Sequence, residues 1–327
     1  MCDSLEQYGL TREDLVHLVE GPWRRLRAVL ERKVIDVHSH NWKPKGIEYV
    51  RTMRERAKVY QSNEIVDNTE EFILSMDMHG IEKACVNYPT KSRRGTRLQI
   101  TYSDWLESIA RYPDRFIEYV SWPGATEPDQ PPTKDPVQVA RFVRARLQQG
   151  ARMIEGEGIF PIFPNGDPRA VAPILETVEE FGVPVHLNMT GTSKAYKVMR
   201  QPELYLPYIQ AYPRVNFILG DAGGKRFPMG GGWQAIMSAS MYENAFLEIS
   251  GAPVAIVETA VRTLGADRVL YASDQSFAAI RYFEPCGGWD AYLHWSTLNA
   301  VALADLSEAQ QDVILHKNTR RLLKIPE

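Results

Sequence analysis

A rhythm limits what this chain can fold into: short β-branched, apolar runs alternate with longer runs of helical period, eight times over. The short runs are KVIDVH (33–38), IEKACVNY (81–88), RFIEYVSW (115–122), ARMIEGE (151–157), VPVHLNM (183–189), NFILGDAG (216–223), AFLEISG (245–251) and RVLYASD (268–274). Between them lie EEFILSMDMHG, DPVQVARFVRARLQQG, AVAPILETVEEFG and PVAIVETAVRTLG, each ending in a glycine suited to stopping a helix. Strand then helix in this alternation predicts an α/β fold, a (β/α)8 TIM barrel. Such a barrel takes about 250 residues, and residues 33–327 supply it with room for loop insertions. Residues 1–32 read as an N-terminal helical extension. Residues 41–68, rich in Trp, Lys, Arg and Tyr, read as a lid-like insertion behind the first strand.

Composition narrows the functional classes. A formal net charge of −3 with dispersed basic residues gives no field that would draw nucleic acid or an anionic membrane. The three cysteines, Cys2, Cys85 and Cys286, form no CxxC pair, so neither a disulfide framework nor a thiolate zinc site is indicated. The N-terminus is charged and no stretch approaches the ~20 apolar residues of a membrane span. These features predict a soluble, cytoplasmic protein whose partner is a small molecule; a homo-oligomer is left open.

In a barrel, polar residues at the C-terminal ends of strands face the end where active sites are built. His38 and His40, in VIDVHSH, sit at such an end and are two apart, so in extended backbone both imidazoles point the same way. His186 in VPVHLNM, Asp221 in ILGDAGG and Asp274 in LYASDQS follow later apolar runs. Nitrogen plus carboxylate ligands suit zinc, manganese or iron. A lone HxH is weak evidence, because histidine often caps a strand end; the joint placement on three strands carries the weight. Glu155 ends the fourth run as a ligand, a substrate contact or a salt-bridged residue, and Asp36 either orients a ligand or pairs with an arginine of the barrel floor. His17, His79, His294 and His316 fall in helical patterns and read as structural, His79 at a helix C-terminus.

The residues resemble the amidohydrolase superfamily, in particular the branch that includes aminocarboxymuconate-semialdehyde decarboxylase and the resorcylate-type decarboxylases. The resemblance spans about Lys33 to Ile325 and rests on DVHSH, PVHLN, YASDQS and the closing HKNTRRLLKI. It implies that His38, His40, His186 and Asp274 hold one divalent metal, zinc first, and that Asp274 also handles a proton. One departure stands out: relatives end the sixth strand in histidine before a glycine pair, and here GDAGG puts Asp221 there.

Two chemistries follow. A divalent ion lowers the pKa of its water toward ~7, and a strand-end carboxylate takes the proton as the water attacks a carbonyl. Hydrolysis is therefore the leading expectation, with Asp274 and Asp221 as catalytic carboxylates. The related branch uses the same constellation for non-oxidative decarboxylation, which is the alternative. A non-catalytic binding protein is a third reading, opposed by the mutually consistent ligand set. Phosphate binding is disfavoured, since GDAGGKRFPMGGG lacks the GxxxxGK[ST] spacing. Aromatic and basic loop residues, Trp42 and Arg281 among them, together with Glu155, are the candidates for holding a carboxylated or aromatic substrate.

Overall fold

Eight parallel strands form one sheet in chain order: β1 (Val34–Ser39), β2 (Ile81–Asn87), β3 (Phe116–Val120), β4 (Met153–Glu155), β5 (Val185–Leu187), β6 (Phe217–Leu219), β7 (Ala245–Glu248) and β8 (Val269–Leu270). The seam between β8 and β1 is bridged by two backbone hydrogen bonds, Val37 N to Tyr271 O at 3.2 Å and Asp274 N to His38 O at 2.8 Å. The result is a (β/α)8 barrel, as the alternation predicts. The computed structural model describes residues 12–44, 47–48, 60–61, 65–67, 69–88, 101–121, 135–156, 167–189, 192–193, 198–199, 202–221, 231–274 and 290–326.

The helices α1 (Arg12–Leu30), α2 (Thr69–Met78), α3 (Tyr102–Ala110), α4 (Pro136–Gln148), α5 (Ala172–Phe181), α6 (Leu206–Ala211), α7 (Gly231–Ser240), α8 (Val254–Leu264) and α9 (Asp290–Leu303) surround the barrel. Their ends carry local signals. Thr101 and Asp104 form a capping box at α3, and Asp135 caps α4 just before Pro136. Gly80, after α2, has φ +68, and a Cβ there would stand 2.8 Å from the Leu30 carbonyl, so only glycine turns the chain into β2 at that point. Helix α1 packs against α9, burying Leu26 and Val29.

Strand periodicity sorts the interior. Val185, Leu187, Phe217, Leu219, Ala245 and Leu247 join the layer between sheet and helices. Val37, Cys85, Tyr119, Met153, Ile218, Phe246, Leu270 and Ala272 fill the barrel itself, with Leu322 and Leu323 among them. With a period of two, Glu155, His186, Gly220, Glu248 and Asp274 then fall on inward positions. The ladders are shorter than the apolar runs suggest, with three residues each in β4, β5 and β6. Past them the chain bends out of register, and Asp221 and Asp274 take left-handed φ values of 57° and 51°.

The described parts of the insertion 41–68 pair as nested antiparallel ribbons, Trp42–Pro44 with Ile65–Asp67 and Ile47–Glu48 with Tyr60–Gln61. A second small hairpin follows β5, Thr192–Ser193 against Val198–Met199. The closing helical run, 308–323, contains a π turn at Val313–Lys317. Asn318 donates to the carbonyls of Ala266 and Val269, each at 2.7 Å, and Arg320 grips both carboxylate oxygens of Glu82 at 2.6 Å. The asparagine and arginine of HKNTRRLLKI thus tie the last helix to β8 and β2.

Candidate metal centre

At the C-terminal mouth, β1 and the end of β8 bring two histidines and a carboxylate to one point. Asp274 Oδ1 lies 3.2 Å from His40 Nε2 and 3.6 Å from His38 Nε2. Two ligands about 2.1 Å from a tetrahedral cation stand roughly 3.4 Å apart, so this is the spacing of atoms sharing one ion. On the other side of His38, Nδ1 is 3.1 Å from Glu248 Oε1. His186 stands beside it, with ring centroids 4.4 Å apart and its Nε2 3.6 Å from the same Glu248 oxygen. Two overlapping trios can hold a cation, His38–His40–Asp274 and His38–His186–Glu248.

Several features fit a divalent ion here. His186 Nε2 is buried and has no hydrogen-bond partner among the described residues, while its Nδ1 is fixed by a 2.7 Å hydrogen bond with the Tyr119 hydroxyl. Such orientation of a ligating imidazole through its other nitrogen is usual at metal sites. A Cβ at Gly220 would come within 2.6 Å of His186 Cε1, so the absent side chain leaves the ring its place. Burial alone would lower the His38 pKa, yet Asp274, Glu248 and Asp221 outweigh it and raise it to about 9. Three carboxylates thus draw positive charge to this ring. Burial, reinforced by His38, lowers His186 to about 4, leaving it the neutral ring a metal requires. Burial works to raise Glu248, but the two histidines beside it hold it well below the usual carboxylate range.

Behind the ligands, Asp36 accepts from His38 N at 3.1 Å and from Ser273 N and Oγ at 3.0 and 2.5 Å, bracing β1 against β8. Burial raises its pKa to about 7 against those hydrogen bonds. Asp221 is fully buried at the exit of β6, and its backbone N–H donates to Glu248 Oε1 at 2.5 Å. Glu155, on β4 beside His186 of β5, accepts from Ser121 Oγ at 2.5 Å. Trp42 is 8% exposed and its indole donates to Ser108 of α3 at 2.8 Å. It holds the base of the insertion, together with Asn41, which bonds Thr69, Ser108 and Trp105. Arg281 and most of 41–68 lie outside the described residues. His79 is buried at the end of α2, and its Nδ1 bonds the Ser75 carbonyl at 2.7 Å; burial lowers its pKa, so it serves that helix end as a neutral donor.

Two participants are absent from the sequence reading: Glu248 and Tyr119. Both belong to runs recognised as strands, and the missing step is parity. In AFLEISG, Phe246 faces the barrel interior, so Glu248, two residues on, faces the mouth.

Comparison with known proteins adds the family. The amidohydrolase family profile matches residues 35–325. No curated protein sequence matches significantly. Among solved structures, a manganese-bound 5-carboxyvanillate decarboxylase from Novosphingobium aromaticivorans is similar at 16% identity and a TM-score of 0.59, covering 90% of this chain and 97% of its own. A dihydroxybenzoic acid decarboxylase from Polaromonas, with manganese and 2-nitroresorcinol, is similar at 16% identity and a TM-score of 0.54, covering 90% and 97%. A probable 2-pyrone-4,6-dicarboxylic acid hydrolase from Acinetobacter baumannii is similar at 15% identity and a TM-score of 0.55, covering 89% and 99%. At such identities these likenesses establish the barrel. The family follows from the profile that spans nearly all of it, with HxH, His186 and Asp274 at the strand ends: the chain belongs to the amidohydrolase family.

Proposed function

We propose that this protein is a metal-dependent hydrolase of a small carboxylated or aromatic molecule. The observation that carries the reading is the convergence of His38, His40 and Asp274 beside a buried His186 whose Nε2 has no hydrogen-bond partner among the described residues. His38, His40, His186 and Asp274 are the residues that would hold the ion, with zinc the first choice for a nitrogen and carboxylate set and manganese, carried by two of the similar structures, or iron as the others. A bound divalent cation supplies Lewis acidity and lowers the pKa of water toward ~7.

The chain's own residues do the rest. Asp274 is placed to accept the proton of the attacking water at a carboxylate oxygen and return it to the leaving group. Asp221 orients the substrate from the exit of β6. Glu155, inside the mouth, meets hydrogen-bond donors of the substrate, and Arg281 its carboxylate. The aromatic face of Trp42 is the third substrate contact we assign, at the base of the insertion. We place the enzyme in the cytoplasm, acting on a free small molecule rather than on nucleic acid or a membrane surface. Among the described residues no helix is long and apolar enough to cross a membrane.

A second reading has support of its own: two of the similar structures above are named as decarboxylases of hydroxylated aromatic acids. In that case Asp274 delivers a proton to carbon as carbon dioxide leaves. Incubation in 18O-water with panels of lactone carboxylates and hydroxybenzoates separates the two. Hydrolysis predicts 18O in the product without carbon dioxide; carbon dioxide release with no 18O in the remaining ring product would establish the lyase.

A further inference from the structure

Glu248 is available to a cation only if it has a lone pair to spare. An ionised carboxylate offers about four acceptor positions. Oε1 accepts from Asp221 N–H at 2.5 Å and Ser250 Oγ at 3.0 Å, and faces His38 Nδ1 at 3.1 Å. Oε2 accepts from Ser250 N–H at 2.6 Å. Oε1, the oxygen that faces both histidine rings, therefore meets three partners with about two acceptor positions and has none to spare, and these partners come from three places: the end of β1, the exit of β6, and the residues just past β7. The group is wholly buried.

We infer that Glu248 is a positioning residue that binds no cation: it fixes His38 with the proton on Nδ1, aims Nε2 at Asp274 and His40, and thereby limits the mouth to one divalent ion. This rests on the reading of His38, His40 and Asp274 as ligands. Geometry decides between the two possible trios. A ring nitrogen that donates to Glu248 has no lone pair for a metal, so the trio containing Glu248 cannot use Nδ1 of His38. The opposite nitrogen, 3.6 Å from Asp274 Oδ1, remains free to ligate. The same carboxylate holds the Asp221 backbone in its left-handed turn, φ 57°, so one side chain sets both a ligand's tautomer and the path of the sixth loop. The seventh-strand carboxylate thus reaches the exit of β6 through the Asp221 backbone.

Two readouts on the full chain test this without measuring turnover. The tautomer of His38 is read by long-range 15N correlation in metal-free protein, at a pH where the ring is neutral. Bound Mn2+ or Zn2+ is counted by elemental analysis after dialysis, in wild type and in Glu248→Gln. The expected results are Nδ1–H at His38, one ion per wild-type chain, and one ion in Glu248→Gln held about 10- to 100-fold more weakly, as for loss of a partner behind a ligand. Two ions in wild type with one lost in Glu248→Gln would make Glu248 a ligand and overturn the inference. So would Nε2–H at His38, or an unchanged affinity in the variant. If Glu248→Gln does not fold, the wild-type tautomer and ion count decide. A wild type that takes up no ion yet carries Nδ1–H would remove the metal reading while leaving the hold of Glu248 on His38 in place.

Discussion

A methyl group at Gly220 would stand 2.6 Å from His186 Cε1, 2.7 Å from Nε2 and 3.0 Å from the Leu187 carbonyl. Neither the ring, held by Tyr119, nor the backbone can yield without cost, so Gly220→Ala should displace His186. The expected outcome is a loss of about 1–3 kcal/mol from overpacking, read as a lower urea midpoint, with weaker metal retention after dialysis. At Asp274, asparagine keeps the shape and removes the base. Asp274→Asn should lower turnover by about 10²-fold or more while His38, His40 and His186 keep much of the metal, and Asp221→Asn should lose less. If Asp221→Asn is instead the inactive variant and Asp274→Asn turns over well, the proton chemistry belongs to Asp221. The residues that meet at the mouth were legible because HxH and the later strand-end residues follow apolar runs. Glu248 was not, because one glutamate in AFLEISG looks like the polar half of any strand until the inward parity is known.

At the scale of elements, alternation located all eight strands, since buried parallel strands are apolar throughout. Their ends were harder to read, because burial continues past the point where the ladder stops: Asp221 and Asp274 are buried yet left-handed. The described residues of 41–68 pair as ribbons that no periodicity announces, and their anchor is a buried polar network. Asn41→Ala should test that anchor. It strips a partner from each of Thr69, Ser108 and Trp105; Ser108 keeps its bond from Trp42, but the buried Trp105 indole N–H loses its acceptor, which should cost about 1–3 kcal/mol, measurable as a lower melting temperature. The last helix is held differently, by charge. Arg320 lowers the pKa of Glu82, and Arg32 that of Asp312, in each case against the opposing effect of burial. A carboxylate with a lowered folded-state pKa stabilises the fold above its unfolded value near ~4, and that contribution fades as pH falls through the folded value. Glu82 is partly exposed, so the Arg320 pair is worth about 1 kcal/mol or less. The urea midpoint of wild type should therefore fall more steeply between pH 6 and about 3 than that of Glu82→Gln; parallel curves would mean the pair contributes nothing.

At the scale of the molecule, the barrel gives one floor and one mouth. Its floor is closed by Leu322, Leu323 and the Arg320–Glu82 and Asn318 contacts, and its mouth gathers the ionisable residues. Chain topology puts His38 and Asp274 at opposite ends of the sequence yet at one seam, joined by the bond from Asp274 N to His38 O. The fold therefore assembles the site only when the barrel closes. Sequence order could suggest that meeting but could not supply its distances, which depend on the bend after β8. The proposed function requires one divalent ion held there. Crystals of metal-loaded protein, measured at the absorption edge of the ion, test this directly. One anomalous peak within about 2.0–2.2 Å of His38 Nε2, His40 Nε2 and an Asp274 oxygen is the predicted result; no peak at the mouth, or a peak that none of these three residues touches, would contradict it.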